Sequence, residues 1–392
     1  MAAGGGQRTG QVGRRERRGA GPGGGPAAGG ARRGGRARRS GGRTGRRQEG
    51  ARAALSPWGA GRGRRPARPP VFSAFGVRGV PAFLTRQYID AMSNTASLRP
   101  QPVASEHTPL KARNVAFDWA DTPLHWIPGD PASTHTINVL HLLLPAGERW
   151  FVHVYKQALP YVRDPELRAD VIGFIGQEAM HAQAHDDVLP HLKEQGLDPT
   201  PYTAQVDWLF EKLLGDRTLP PGRARAWWLR ERVAMIAAIE HYTAFLGDWV
   251  LNAEALDAKG ADPTMLDLLR WHGAEEVEHR SVAFDLFVHL DGGYRRRVRT
   301  WATAFSALVF LWQRGTRFFM ENDPTLVGQK AAVKDFVRGG RQGVLPTTGA
   351  IARSIPQYLS RTYHPSQHGS TAQALAYLDR SPAATAAASE GA

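Results

Sequence analysis

The pattern of apolar and polar residues from about residue 132 onward is typical of α-helices, because apolar side chains recur on one face of each stretch. Few stretches alternate with a period of two, and none has the strand–helix–strand pattern of a parallel sheet. Four long helices are predicted, with a shorter amphipathic one at 202–215; the long ones span 137–159, 165–195, 223–255 and 263–290. The sequence therefore predicts an all-α fold, a four-helix bundle with additional helices.

Several residues mark where these helices are expected to begin and end. An aspartate followed by a proline occurs at Asp164-Pro165, Asp262-Pro263 and Asp323-Pro324. Each pair predicts an N-cap followed by the first helical residue. Gly196 is expected to end the second long helix, and Pro145 is expected to start or kink the first.

Each long helix carries an acidic residue among apolar neighbours. In chain order these residues and their histidine companions are Glu148, then Glu178 with His181, then Glu240, then Glu276 with His279. Residues three positions apart share one face of a helix, so each Glu-x-x-His pair can hold a metal ion from one side. The two single glutamates would close the site from the other helices, as in carboxylate-bridged di-metal bundles.

Two explanations compete for these residues, a solvated helix face and a metal site. One Glu-x-x-His pair is typical of a solvated face, but two pairs, each preceded by a glutamate on another helix, favour a metal site. Four carboxylates neutralise two divalent cations, whereas four inward carboxylates without metal would cost on the order of several kcal/mol each. We therefore expect two divalent metal ions, iron first, with manganese and zinc as alternatives. The sequence has no cysteine, so thiolate ligands are excluded.

Four segments resemble a bacterial family labelled predicted metal-dependent hydrolase, which is assigned to the ferritin-like superfamily. The segments are LPAGER at 144–149, QEAMH at 177–181, EHYTA at 240–244 and EEVEHRSVAFD at 275–285. The resemblance covers about residues 110–365 and implies a ferritin-like bundle. The metal ligands that it implies are Glu148, Glu178, His181, Glu240, Glu276 and His279.

Three neighbouring residues are expected to support these ligands. His272 lies one turn before Glu276, and His185 lies one turn after His181, so each can hydrogen-bond to a ligand and orient it. Glu275 adjoins Glu276, and it either supports the site or replaces Glu276 as the ligand.

The leading hypothesis for function is a di-metal enzyme, in which two irons activate O2 and a small apolar substrate is oxidised or hydroxylated. Hydrolysis by a metal-activated water is the alternative that the family label favours. Metal storage or sensing also stays open, as does a structural bundle with buried ion pairs and no metal. The bundle alone does not choose among them, because unrelated reactions share one scaffold.

The positive charge of the chain is concentrated in residues 1–91. The formal net charge is +14, and these residues hold 20 Arg against three acids, a net of +17, which leaves 30 basic and 33 acidic residues, about −3, for the rest. The segment is rich in Gly and Arg and poor in apolar residues, so we expect a disordered tail. Such a tail can bind nucleic acid, but the nearly neutral body argues against that function. A chain that starts at Met92 would lack the tail altogether.

The rest of the chain is divided into an extended lead-in at 92–131, the bundle at 132–365 and a C-terminal tail at 366–392 with a frayed end. The stretch at 295–317 has an apolar centre flanked by arginines, and it is expected either to cap the bundle as a fifth helix or to rest on a membrane surface. No secretory signal or membrane-spanning apolar run is visible, so we expect a cytoplasmic protein, peripheral to the inner membrane if 295–317 contacts lipid. A homodimer is a further expectation.

Overall fold

The computed structural model describes residues 110–390. The expectations for the Arg-rich tail at 1–91, for a start at Met92 and for the first part of the lead-in fall outside the described residues. Within 110–390 the secondary structure is helical and no strand is formed, so the all-α prediction is confirmed. Residues 110–130 contain turns and bends but no helix.

The bundle is built from the long helices that the sequence predicts, two of them divided into shorter ones. The α-helices in this part of the chain are α1 (Pro131–Ala158), α2 (Pro165–Asp186), α3 (Val188–Glu194), α4 (Thr200–Trp208), α5 (Arg223–Leu251), α6 (Glu254–Ala258), α7 (Pro263–His279) and α8 (Val282–Leu290). A π-helical turn, Leu209–Leu213, follows α4.

Four long helical segments surround a common interior: α1, α2, α5, and α7 together with α8. Helix α1 packs along α2, and α5 packs along α7 and α8. Helix α1 also contacts α5, and α2 contacts both α7 and α8. Large side chains such as Trp271, Phe174 and Phe287 are buried between them. A four-helix arrangement is therefore present, while its assignment as ferritin-like stays a prediction that rests on the resemblance.

Aspartate caps begin three of these helices. The carboxylate of Asp164 accepts hydrogen bonds from two amides in the first turn of α2, and that of Asp262 accepts one from the amide of Met265 in α7. Asp130, which precedes Pro131, caps α1 in the same way. The pair Asp130-Pro131 was not among the helix starts predicted from the sequence. Because of this cap, α1 begins at Pro131, earlier than the predicted start at residue 137.

The predicted helix at 165–195 is interrupted at Asp187. Pro190 explains the break, because it has no N–H to donate and its ring would clash with the carbonyl of Asp186, four residues earlier. Gly196 follows α3 with a φ of +89°, a left-handed conformation that glycine adopts at little cost. The predicted end of this segment is therefore confirmed.

The predicted helix at 263–290 is also interrupted, at Arg280 and the residue after it. The side chain of Arg280 donates a hydrogen bond to the carbonyl of Val277, which leaves that carbonyl satisfied without a continuing helix. Pro145, by contrast, lies inside α1 and does not end it.

Helix α9 (Tyr294–Asn322) contains the stretch at 295–317 and packs against α1 and α5. One face therefore covers the bundle, as expected for a fifth helix, while Val309 and Phe310 are exposed. Contact with a membrane surface stays a prediction. The third predicted helix start is wrong, because Asp323 ends α9 and caps a turn at Thr325 instead of a helix.

Four short helices complete the described chain: α10 (Val333–Arg341), α11 (Thr348–Leu359), α12 (Thr371–Leu378) and α13 (Pro382–Glu390). Helices α12 and α13 pack on α7, where the hydroxyls of Tyr377 and Ser381 donate hydrogen bonds to Asp267. The segment at 366–392, expected to be a tail with a frayed end, is folded against the bundle as far as residue 390. Within this described part, no helix is both long and apolar enough to cross a membrane.

Candidate metal centre

Seven acidic and histidine side chains meet in the interior of the bundle, and all are buried. They are Glu148 from α1, Glu178 and His181 from α2, Glu240 from α5, and His272, Glu276 and His279 from α7. All six residues predicted as ligands are thus brought together. His272, which was expected only to support them, lies among them.

The first group contains the two residues of one Glu-x-x-His pair and glutamates from two other helices. One ligand atom from each of Glu178, Glu240, Glu276 and His279 lies within 4.8 Å of the others. The Nε2 atom of His279 is 3.3 Å from a carboxylate oxygen of each of the three glutamates. The spacing of three residues places Glu276 and His279 on one face of α7, as the sequence predicts.

The second group uses the other histidines. One ligand atom from each of Glu148, His181, His272 and Glu276 also lies within 4.8 Å of the others. The Nε2 atom of His272 is 2.8 Å from Glu276 Oε1 and 3.6 Å from Glu148 Oε1. The Nδ1 atom of His181 is 3.6 Å from the same oxygen of Glu276. Glu276 therefore belongs to both groups.

Many of the atoms that face these two groups have no hydrogen-bond partner among the described residues. They are both carboxylate oxygens of Glu148 and of Glu178, Oε2 of Glu240 and of Glu276, Nδ1 of His181 and Nε2 of His279. A buried polar atom without a partner costs about 1–3 kcal/mol, and a charged one costs more. The donor set therefore fits divalent metal ions, which accept carboxylate oxygen and imidazole nitrogen.

Each histidine of the centre uses its second ring nitrogen to contact a neighbour. His181 Nε2 lies 2.9 Å from Glu275 Oε2, and His279 Nδ1 lies 3.1 Å from Gln177 Oε1. Such contacts fix the ring and select which nitrogen faces a metal. Glu275 thus lies against a histidine of the centre, outside both groups, and Glu276 occupies the position for which Glu275 was the alternative.

His272 is the first of three imidazoles that lie in a row. His185 Nε2 lies 2.6 Å from His272 Nδ1, and His185 Nδ1 lies 2.8 Å from His141 Nδ1. His185 therefore lies outside both groups and in contact with one of their members, His272. His141 was missed, because a histidine on an apolar helix carries no spacing signal of its own.

Arg113 of the lead-in closes the centre from outside the bundle. Its guanidinium donates hydrogen bonds to Glu275 at 2.7 Å and to Glu278 at 3.0 Å. Gln177 donates from its amide to the same oxygen of Glu278 at 2.7 Å. Neither Arg113 nor Gln177 was predicted as a residue of the site. Arg113 is far in sequence from Glu275 and Glu278, and it belongs to a segment with no periodic pattern.

Burial and mutual repulsion shift the acids of the metal-free centre toward their neutral forms. Burial, followed by the charges of neighbouring carboxylates, raises the pKa of Glu148 and of Glu178 well above the ordinary value. Burial and the charge of Glu276 raise the pKa of Glu240 to about 7. A cation among these carboxylates would reverse all three shifts.

One ion pair offsets part of this repulsion. Burial lowers the pKa of His279, but the carboxylates of Glu276 and Glu240 outweigh it and raise the value to about 10. Burial likewise raises the pKa of Glu276, but His279 and His272 outweigh it and lower the value well below the ordinary one. Burial lowers the pKa of His181 to about 3, so this ring is neutral and free to act as a ligand.

A cavity of about 590 Å³ reaches the centre from the side of α9. Its wall is largely apolar and includes Leu140, Leu246, Leu269, Phe305, Leu308 and Trp312. His272, Glu276 and the hydroxyl-bearing residues Tyr242 and Thr243 also line it. The Thr243 hydroxyl donates a hydrogen bond to Glu240 at 3.3 Å. The cavity thus joins an apolar wall to the polar atoms of the centre.

Comparison with known proteins yields one match. The model of a family described as predicted metal-dependent hydrolase matches residues 111–369. No curated protein and no solved structure matches the chain. The matched range contains every side chain of the two groups, together with Arg113, which contacts Glu275 and Glu278.

Proposed function

Because the chain belongs to the family of predicted metal-dependent hydrolases, we propose that it is an enzyme that holds two divalent metal ions inside its bundle. The observation that carries this proposal is the set of buried carboxylate oxygens and imidazole nitrogens that face one another without partners among residues 110–390. Divalent cations would neutralise these carboxylates and satisfy these atoms, which the protein's own side chains do only in part.

Two sets of four residues would hold the ions. Glu148, His181, His272 and Glu276 would hold one, and Glu178, Glu240, Glu276 and His279 would hold the other. Oε1 of Glu276 faces His272, whereas Oε2 of Glu276 faces His279. Glu276 would therefore bridge the two ions, and its loss should affect both.

We propose iron as the metal and oxidation or hydroxylation as the reaction. Two irons bound here would supply reactivity toward O2, and the oxygen and nitrogen donor set without thiolate is suited to them. The chain itself orients the ligands through Glu275 and Gln177, and it excludes bulk water by burying every residue of the centre. Thr243 keeps Glu240 in place by its hydrogen bond.

The cavity supports a small, largely apolar substrate. Its wall offers apolar contact along most of its length and polar atoms only where it meets His272 and Glu276. A substrate would be held by burial of its apolar part, and the end that reaches these two residues would react. Metal storage is less favoured, because an apolar cavity is a poor path for hydrated ions.

Hydrolysis is the second candidate function, and the family description favours it. In this case the same ions would lower the pKa of a water molecule, and the apolar cavity would take the acyl chain of an ester. The two candidates share the metal site and the cavity. They differ in the co-substrate, which is O2 for oxidation and water for hydrolysis.

An experiment with matched probes separates the candidates. The full chain is purified without added metal, its metal content is measured by elemental analysis, and it is then loaded with ferrous iron or zinc. Decanoic acid is offered with O2 and a reductant, and 4-nitrophenyl decanoate is offered without them. Two irons per chain and substrate-dependent O2 uptake support oxidation. Zinc-dependent release of nitrophenol without O2 uptake supports hydrolysis instead.

The variant Glu276→Ala tests the metal site directly. Because Glu276 belongs to both groups, we expect this variant to lose both ions. It should also lose the activity that the unaltered chain shows in the preceding experiment, oxidation or hydrolysis. A folded variant that keeps its full metal content would overturn the proposed centre. Purified protein that binds no transition metal and remains stable would do the same.

A further inference from the structure

Three more metal-binding side chains meet at the end of α9, outside the two groups of the bundle. His125 comes from the lead-in, His135 from α1, and Asp323 from the position directly after α9. The Nε2 atoms of His125 and His135 lie 2.6 Å and 2.7 Å from one oxygen, Oδ2 of Asp323. One ligand atom from each residue lies within 4.8 Å of the other two.

Asp323 and His135 are held in their orientation by residues outside the cluster. The second carboxylate oxygen of Asp323, Oδ1, accepts hydrogen bonds from the amide and the hydroxyl of Thr325, both at 2.7 Å. Oδ2 is therefore directed at the imidazoles. The ring of His135 stacks on Phe319 at 5.5 Å and meets His125 edge to face. This support from outside the cluster is what metal ligands require.

Both carboxylate oxygens of Asp323 have partners, Thr325 at Oδ1 and the two histidines at Oδ2. Its side chain is fully buried, and within the described part of the chain it forms ion-pair contacts only with His125 and His135. A cation bound here would replace the contacts between Oδ2 and the two imidazole rings.

The geometry points to a third metal site, in which His125, His135 and Asp323 bind one divalent cation of the zinc class. Two imidazole nitrogens and one carboxylate oxygen are a common protein contribution to such a site, and water completes the coordination. The side chain of His125 is 25% exposed, which gives the ion and its water a path from solvent. This site is independent of the proposed function, because it shares no residue with the bundle centre.

The third ion would connect three segments, two of which also form the cavity wall. Ala132 and Thr136, on either side of His135, line the cavity. The chain that follows Asp323 contributes Ala331, Ala332 and Val333 to the same wall. The ion would thus clip the lead-in to the start of α1 and to the end of α9, and it would hold this side of the cavity closed.

Zinc binding to the full chain tests the site. The protein is stripped with a chelator and titrated with Zn²⁺ by calorimetry, and the bound metal is counted by elemental analysis. We expect three equivalents for the unaltered chain and two for His125→Ala. His153→Ala is the matched control, because His153 also contacts an aspartate, Asp216 at 3.0 Å, but has no second histidine. This control should retain three equivalents.

Two further variants keep the outcome interpretable. Asp323→Asn retains the cap on Thr325 but removes the charge, and it should also bind one equivalent less than the unaltered chain. It replaces His125→Ala as the test if that variant is poorly folded. Glu178→Ala disturbs the bundle centre and should retain the ion that depends on His125. If the unaltered chain and His125→Ala bind the same amount of zinc, the third site is overturned. If one ion binds and it depends on His125, the third site stands and the bundle centre fails.

Discussion

Gly247 of α5 and Gly273 of α7 bring the backbones of their helices into contact. A Cβ atom added to Gly247 would lie 2.5 Å from the carbonyl oxygen of Gly273 and 3.1 Å from the Cβ of Glu276. Real side chains do not approach so closely, so only glycine fits at this crossing. The contact holds the face of α7 that carries Glu276 close to α5, and both glycines line the cavity.

Replacement of Gly273 by alanine should therefore separate α5 from α7. The new Cβ would lie 2.7 Å from Val250 Cγ1 and 2.9 Å from Gly247 Cα, so the helices must move apart. We expect a loss of about 1–3 kcal/mol of unfolding free energy, typical of an overpacked core. Metal content should fall as well, because Glu276 moves with α7. Thermal unfolding and elemental analysis measure the two effects.

Gly349→Ala is the control for this substitution. Gly349 lies in the first turn of α11, and its new Cβ would meet only Arg353 Nη1, at an ordinary 3.6 Å. This variant should be as stable as the unaltered chain and bind as much metal. If Gly273→Ala behaves in the same way, the close crossing has no role in forming the centre.

Local signals predicted the fold well where one residue decides the backbone. Asp164 and Asp262 begin helices as predicted, because an N-cap needs only its own first turn. Asp323 carries the same signal but its carboxylate serves a turn and two histidines instead. That outcome depends on His125 and His135, which are distant in sequence. The break at Pro190 was within reach of the sequence and was overlooked.

The candidate site was predicted to the extent that helix periodicity determines it. Spacing of three residues made Glu178 with His181 and Glu276 with His279 stand out, and the structure brings these pairs together. His272 lies four residues before Glu276, and the same periodicity placed it nearby without showing that it faces Glu148. Contacts that cross between helices depend on packing, which a single sequence does not specify.

Replacement of Glu178 by glutamine should have opposite effects with and without metal. Both oxygens of Glu178 are buried without partners, and burial followed by repulsion from Glu240 and Glu276 raises its pKa. A neutral amide of the same shape has no charge to bury and relieves this repulsion, so the chelated variant should be more stable than the unaltered chain. With metal present, the loss of a charged ligand should weaken binding. Denaturant unfolding with and without chelator measures both.

Glu211→Gln is the matched control, because the side chain of Glu211 is 69% exposed. It should change neither stability nor metal binding. An equal loss of stability in the chelated and the loaded forms of Glu178→Gln would contradict the metal site and favour a structural role for this carboxylate.

Replacement of Glu275 by glutamine should weaken metal binding without removing a ligand. Glu275 accepts from His181 Nε2 at 2.9 Å and from Arg113 at 2.7 Å, so it fixes the ring whose other nitrogen faces the centre. Loss of such a partner typically lowers metal affinity about 10–100-fold. Competition with a chelator of known affinity measures this change. Glu254→Gln, on the short helix α6, serves as the control and should bind metal normally, and an unchanged affinity for Glu275→Gln would refute the orienting role.

The stability of the metal-free protein should fall as the pH rises from about 7 to about 10. Burial and the charge of Glu276 raise the pKa of Glu240 to about 7, so the loss of stability that comes from ionising Glu240 is already complete where this window begins. The carboxylates that outweigh burial raise the pKa of His279 to about 10, and its ion pair is lost as the pH approaches that value. Between pH 7 and 10 the folded state therefore holds a proton on His279 that the unfolded state has lost, so the unfolding free energy decreases with pH.

Denaturant unfolding of the chelated chain at several pH values tests this sign. His181 does not disturb the window, because its pKa is lowered to about 3 by burial and its effect lies below the ordinary value for histidine. With saturating zinc the decrease should vanish, since metal binding itself favours the deprotonated ligands. A chelated protein that gains stability between these pH values would show that the buried acids are compensated in another way.

Replacement of Leu308 by tryptophan should block the cavity while leaving the metal centre intact. Leu308 is half-buried on α9 and lines the cavity, which does not include its neighbour Ala307 on the exposed side of the helix. The larger indole would occupy space that the apolar substrate needs. We expect the Kd for a fluorescent apolar probe, 1-anilinonaphthalene-8-sulfonate, to rise about tenfold, which corresponds to ~1.4 kcal/mol. Metal content should not change, because Leu308 belongs to neither group of ligands.

Ala307→Trp adds the same side chain outside the cavity, so it should bind the probe as the unaltered chain does. Equal affinity of both variants for the probe would mean that the cavity beside Glu276 is not where apolar molecules bind.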